Sequence, residues 1–181
     1  MIRSVEVFAQ AQAVGFTHVG TLAVSRLAFL PQVREMCAAD RCRMYGKSWV
    51  CPPGCGSLAD AEARARRYSV GVLLQSTGMM EDDFDVETIA ATEKAQQARF
   101  MELVTWLRRR EADCMPMASG ACTVCPQCTY PDAPCRFPNL AIPSMEAFGL
   151  LVSDTCKESG LPYYYGPRTM TFTGCILFSG E

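Results

Sequence analysis

The sequence predicts an α/β chain folded as a single domain: a small mixed sheet, helices packed on it and two cysteine-rich metal-binding loops. Three observations carry this reading. Segments with helical spacing alternate with short apolar or alternating runs, the pattern of an α/β layer. The 181 residues suffice for one core, and no Pro/Ser-rich linker or internal repeat divides them. Eight of the 11 cysteines fall into two sets of four, in Gly- and Pro-rich stretches at about 37–56 and 120–143.

Each element follows from local chemistry. Val5, Phe8 and Val14 mark a short amphipathic helix over about 4–14, stopped by Gly15. Residues 18–24 read as a strand. Ser25 can cap a helix toward Cys37, with Pro31 interrupting it or opening a second turn. After the first cysteine loop, Ser57 and Asp60 form a capping box for a helix to about Arg67. Residues 70–74 form a buried-type strand and 77–84 an acidic turn-rich loop. A long helix over about 86–110 carries Val86, Ile89, Phe100, Leu103, Val104 and Leu107 near one stripe. Residues 114–118 make a short extended segment. Beyond the second cysteine loop, Ser144 caps a helix to Glu158, ended by Gly160, and 169–178 alternate as a last strand. Both cysteine loops should sit at one edge of the sheet.

The second set is the sharper signal. Cys122, Cys125 and Cys128 are spaced C-x2-C-x2-C, with Cys135 following after six intervening residues. Three closely spaced thiols can each take a different iron of one cubane, and a fourth completes it. Tetrahedral zinc sites are usually built from two separated pairs instead, so zinc is the lesser alternative. The first set, Cys37, Cys42, Cys51 and Cys55, is spaced C-x4-C-x8-C-x3-C, with Pro52 and Pro53 directly after Cys51. The expected cofactors are two [4Fe–4S] clusters, one per set. Gly54, Gly56 and Gly120 give the loops backbone freedom. Pro52, Pro53, Pro126, Pro134 and Pro138 stiffen them, or simply serve as turn residues.

The remaining candidates have plainer readings. Cys156 lies in line with Met145, Phe148 and Val152, and Cys175 sits in the last strand; both should be core thiols. Cys114 is read as structural, with exchange ligation as the alternative. His18 is the only histidine, and no Cys–His or Ser–His pair can be built on it. Tyr163, Tyr164 and Tyr165 pack a loop or wall a small pocket between the two cysteine loops. The runs Arg64, Arg66, Arg67 and Arg108 to Arg110 are solvated helix faces, or a docking patch for an acidic partner. There is no Walker loop or GxGxxG run. The net charge of -2 leaves no nucleic-acid footprint. No apolar run approaches membrane-spanning length, and the first residues, with Glu6, Gln10 and Gln12, lack an apolar signal region. A reducing cytoplasm is therefore expected, where clustered cysteines bind metal rather than pair as disulfides.

The motifs together carry a likeness. Cys37-x4-Cys42, the segment Tyr45 to Pro53, Gly120-x-Cys122-x2-Cys125-x2-Cys128, Cys135-Arg-x-Pro138 and Pro143 to Gly149 span most of residues 33–152. On these the chain resembles a prokaryotic family of cysteine-rich predicted metal-binding proteins, classed as a domain of unknown function. The resemblance implies metal binding through the cysteines, as iron–sulfur clusters, and no established reaction. The expected function is electron transfer to a redox partner protein. The alternatives are an enzyme with a substrate-binding iron, for desulfurase- or lyase-type chemistry, and a zinc-stabilised interaction module.

Overall fold

The computed structural model describes residues 2–180. Four strands form one sheet: β1 (His18–Ala23), β2 (Val70–Met79), β3 (Cys114–Met117) and β4 (Thr169–Phe178), in the order β1-β2-β4-β3. Every pairing is antiparallel; Leu73 faces Cys175 across β2 and β4, and Met117 faces Cys175 across β3 and β4. The helices are α1 (Ser4–Ala13), α2 (Pro31–Ala38), α3 (Leu58–Ala65), α4 (Val86–Arg109) and α5 (Val152–Glu158), with 3-10 turns at Val24–Arg26 and Glu146–Phe148.

Side chains alternate across the pleat, so the two central strands are buried on both faces. On one face Val72, Leu74, Ile176 and Phe178 pack with Val7 and Ala11 of α1 and with Phe100, Leu103, Val104 and Leu107 of α4. On the other, Leu73, Cys175 and Leu177 pack with Ala61 and Ala65 of α3, Cys156 of α5, and Met145, Phe148 and Leu150. Helical layers therefore cover both faces of the sheet.

Three boundaries depart from the sequence expectation. Pro31 opens α2 instead of interrupting a longer helix; its missing N–H costs nothing at the first helical position. β2 runs to Met79, because Thr77 to Met79 pair with Thr169 to Thr171 and extend the antiparallel ladder into the segment expected as a loop. The expected helix over 144–158 is broken. The Ser144 hydroxyl accepts from the Ala147 N–H at 3.1 Å and starts only a 3-10 turn. Gly149 then takes φ +80°, where any Cβ would lie 2.4 Å from Leu58 Cδ1, and α5 begins afresh at Val152.

The remaining single cysteines and the arginine runs have structural uses. Cys156 and Cys175 are fully buried, and Cys114 packs against the α4 side of the core. Arg66 donates to the carbonyls of Val24 and Leu27 and pairs with Glu62, while Arg110 lies 3.9 Å over the Trp106 ring. Tyr165 stacks on His18 at 4.1 Å and donates to the buried Gln75 at 2.7 Å. The pocket wall expected of the tyrosines between the cysteine loops is therefore not formed. They are carried by the segment entering β4, and Tyr165 is tied to β1 and β2.

Candidate metal centre

The first cysteine loop leaves α2 and the second leaves β3, the edge strand. They meet beyond the end of that strand. The parallel bridge between Ala118 and Ser144 closes the base of the second loop. The antiparallel bridge between Phe29 and Leu150 anchors the segment from which α2 starts. The sequence expectation of two loops at one sheet edge matches this arrangement.

Within the second loop, Cys122, Cys125, Cys128 and Cys135 all line one cavity of about 600 Å³. Burial raises the Cys122 thiol, and its close neighbours Cys135, Cys125 and Cys128 push the same way against the Val124 N–H. At Cys128 burial opposes ionisation. The N–H groups of Tyr130, Trp49 and Thr129 and the Ser48 hydroxyl outweigh it, so the thiol is held below its ordinary value. Hydrogen bonds aimed at a sulfur stabilise its thiolate, the form that binds metal.

The first set is less uniform. Cys37, Cys42 and Cys51 line a second cavity of about 270 Å³, walled also by Arg41, Tyr45, Ser144 and Glu146. Cys42 is exposed, while the other members are half-buried. Burial, with Cys42 and Cys55 close by, pushes Cys51 up to about 11. Burial and then the Glu146 carboxylate raise Cys37, with Arg34 working against them. Cys55 does not line this cavity. Its thiol donates to the Ala147 carbonyl at 3.5 Å and receives Arg34 Nη1 at 3.6 Å. Arg34 in turn holds the carbonyls of Ala147 at 2.5 Å and Gly56 at 2.7 Å, stapling α2, the end of the loop and the 3-10 turn together.

The thiols act on one another within each set. Cys37 and Cys51 sense Cys42 and Cys55, and Cys122 senses the other three of its own set. The loops nevertheless wall each other's cavities. Met44, Gly46, Lys47, Ser48 and Trp49 of the first loop line the second cavity, and Gly120 and Ala121 line the first. Trp49 Nε1 donates to the Ala133 carbonyl at 2.9 Å, and its ring meets Tyr130 edge-on at 5.0 Å. Gly54 permits this contact. A Cβ there would sit 2.4 Å from the Ser48 carbonyl oxygen and 2.9 Å from the Tyr130 ring.

Four thiols around one cavity are a donor set of the kind that holds zinc or an iron–sulfur cluster. Zinc–sulfur bonds of about 2.3 Å in a tetrahedron bring sulfurs to roughly 3.8 Å. Among the described residues, no three His, Cys, Asp or Glu side chains are gathered closely enough to hold a single metal ion. Arg34, Ser48, Trp49, Tyr130 and Glu146 were not singled out from the sequence. Ser48, Trp49 and Glu146 fall inside the segments that carry the family likeness; Arg34 and Tyr130 have no comparable signal. Neither the curated proteins nor the solved structures include a match to this chain. The pattern of one family, described as predicted metal-binding protein (DUF2284), matches residues 20–178, which is most of the chain and includes all eight clustered cysteines. The chain thus belongs to that family of predicted metal-binding proteins.

Proposed function

We propose that the protein carries two [4Fe–4S] clusters, one in each four-cysteine set, and passes electrons to a partner protein in a reducing cytoplasm. The observation that carries this reading is the pair of neighbouring cavities, one lined by Cys122, Cys125, Cys128 and Cys135 and the other by Cys37, Cys42 and Cys51. A cluster bound at either site would take up and release single electrons. The chain's own residues supply thiolates, exclude water and aim N–H and O–H groups at sulfur, which tune potential. Raised thiols at Cys37, Cys51, Cys55 and Cys122 must lose protons on loading, so uptake should strengthen as pH rises. The test is composition. Anaerobically prepared protein should contain about eight iron and eight sulfide per chain. Stoichiometric zinc without sulfide would replace this reading with that of a zinc-stabilised module.

One observation favours a second reading, an enzyme with an iron open to substrate. Cys55 is the one member of its set that does not line the first cavity, and its sulfur bonds the Ala147 carbonyl and Arg34. An iron lacking that thiolate would face Arg41, Tyr45 and Glu146. Cys55→Ser decides between the readings. A carrier loses its first cluster; an open-iron enzyme keeps it and shows an EPR shift with small thiols or cyanide.

A further inference from the structure

We propose that Arg34 is a positioning residue of the first site: one guanidinium fixes the Cys37 and Cys55 ends of that cysteine set relative to each other and sets a permanent positive charge against the Cys55 sulfur. This deepens the two-cluster reading and rests on it for the redox consequence, though not for the geometry. Arg34 and Cys37 lie three residues apart on α2, neighbours on one side of the helix. Cys55 and Gly56 end the loop. The 3-10 turn Glu146–Phe148 meets both ends of the set. The Cys37 thiol donates to the Glu146 carbonyl at 3.8 Å, and the Cys55 thiol to the Ala147 carbonyl at 3.5 Å. Thiols are weak donors, so these two bonds alone hold little.

Arg34 supplies the rest. Nη1 donates to the Ala147 carbonyl and lies 3.6 Å from Cys55 Sγ, and Nη2 donates to the Gly56 carbonyl at 2.7 Å. One side chain thus ties the helix that carries Cys37 to the residues that carry and follow Cys55, and both to the turn. A guanidinium presents its donors in a rigid planar fork and keeps its charge at any ordinary pH. Among the described residues no carboxylate forms an ion pair with Arg34. Its charge is therefore left to the sulfur and the two carbonyls. A reduced cluster carries one more negative charge than an oxidised one, and a fixed cation beside one of its sulfurs favours the reduced form.

The experiment compares wild type, Arg34→Met and Arg34→Lys. Lysine keeps the charge on a flexible stem and loses the fork, so the two contributions separate. The anaerobic holoprotein is titrated with reductant and followed by EPR. Arg34→Met should shift the reduction equilibrium of the first cluster at least tenfold toward the oxidised form, about 59 mV for one electron. The second cluster should not move. Arg34→Lys should recover at least half of the shift. A second arm needs no metal. In unloaded, folded chain both variants should move the Cβ NMR signals of Cys37 and Cys55 and leave those of Cys125 and Cys128 in place. An arginine that only holds the fold would lower the urea midpoint in both variants with the first potential unchanged, and that result overturns the proposal. Equal potential shifts in the two variants, a shift at both clusters, or unmoved Cys37 and Cys55 signals overturn it too. If wild type holds no cluster, the electron-transfer reading falls, and the NMR arm still decides whether Arg34 positions the two thiols.

Discussion

At the residue scale, the eleven cysteines divide by place into eight in the two cysteine-rich segments and three, Cys114, Cys156 and Cys175, on the sheet and the helix that covers it. Cys128 is held below its ordinary value by donors from both loops, whereas burial pushes Cys156 and Cys175 up. A folded-state value above the unfolded one means the folded chain keeps its proton while the unfolded chain loses it. The stability from these two thiols is therefore full below pH ~9 and lost as pH rises through their folded values. The urea midpoint of the protein should fall between pH 8 and pH 10, and the double variant Cys156→Ala, Cys175→Ala should blunt that fall. A midpoint that falls equally in wild type and variant would show that these thiols are already charged or do not matter. Which cysteines cluster was legible in the sequence, because short spacings in Gly- and Pro-rich loops constrain where thiols can go. The turn of Cys55 toward Ala147 was not. It depends on Arg34, whose partners Gly56 and Ala147 lie 22 and 113 residues away. Replacing Arg34 with Met should cost about 2 kcal/mol, since a charged donor leaves two carbonyls unpaired. A denaturant titration reads it directly.

At the scale of elements, the helices and strands with strong local signals were legible. The Ser57–Asp60 capping box is formed, with the Asp60 N–H donating to Ser57 Oγ at 3.1 Å and the Ser57 N–H to Asp60 Oδ2 at 3.2 Å. Ser57→Ala should destabilise the protein by about 1 kcal/mol. What local pattern could not give was the break after Phe148. Ser144 and an apolar stripe through Cys156 read as one helix, but tertiary packing needs the chain to turn at Gly149 under Leu30 and Leu58. Likewise β2 outgrew its apolar run because β4 offered Thr169 to Thr171 as partners. Gly149→Ala tests the break: φ +80° costs an alanine about 1–2 kcal/mol, and the contact with Leu58 adds to it. The thermal midpoint should drop by several degrees. The first-site spectrum should weaken more than the second, because Ala147 and Glu146, two and three residues upstream, wall the first cavity. A variant as stable as wild type would mean the 144–158 segment can straighten into the single helix that its sequence pattern favours.

At the scale of the whole molecule, the two core clusters are built without buried residues of the cysteine loops, so the core should hold without metal and the loops should not. The sheet is closed on both faces by α1 and α4 and by α3, α5 and the 3-10 turn. None of the buried residues in these two core clusters lies between residues 38 and 56 or between 119 and 141. Those segments contain no strand and no α-helix beyond the end of α2, and hold themselves by turns and by their contact at Gly54, Trp49 and Tyr130. Few buried apolar contacts mean a low free energy for local opening, while the core opens only globally. Loading should then behave unlike a zinc finger, whose metal-free chain is unfolded. Stripping metal anaerobically should leave the far-UV circular dichroism and the core methyl NMR signals nearly unchanged. Limited trypsin digestion should at the same time become fast after Arg41, Arg43, Lys47 and Arg136, and remain slow in α4. Because each loop walls the other's cavity, emptying one site by Cys125→Ser should expose Lys47 as well as Arg136, even though the first cluster's spectrum persists. Global loss of structure on stripping would show instead that metal binding and folding are one event. Protection of Lys47 in Cys125→Ser would show that the loops open independently, and the contact between them would then carry no coupling.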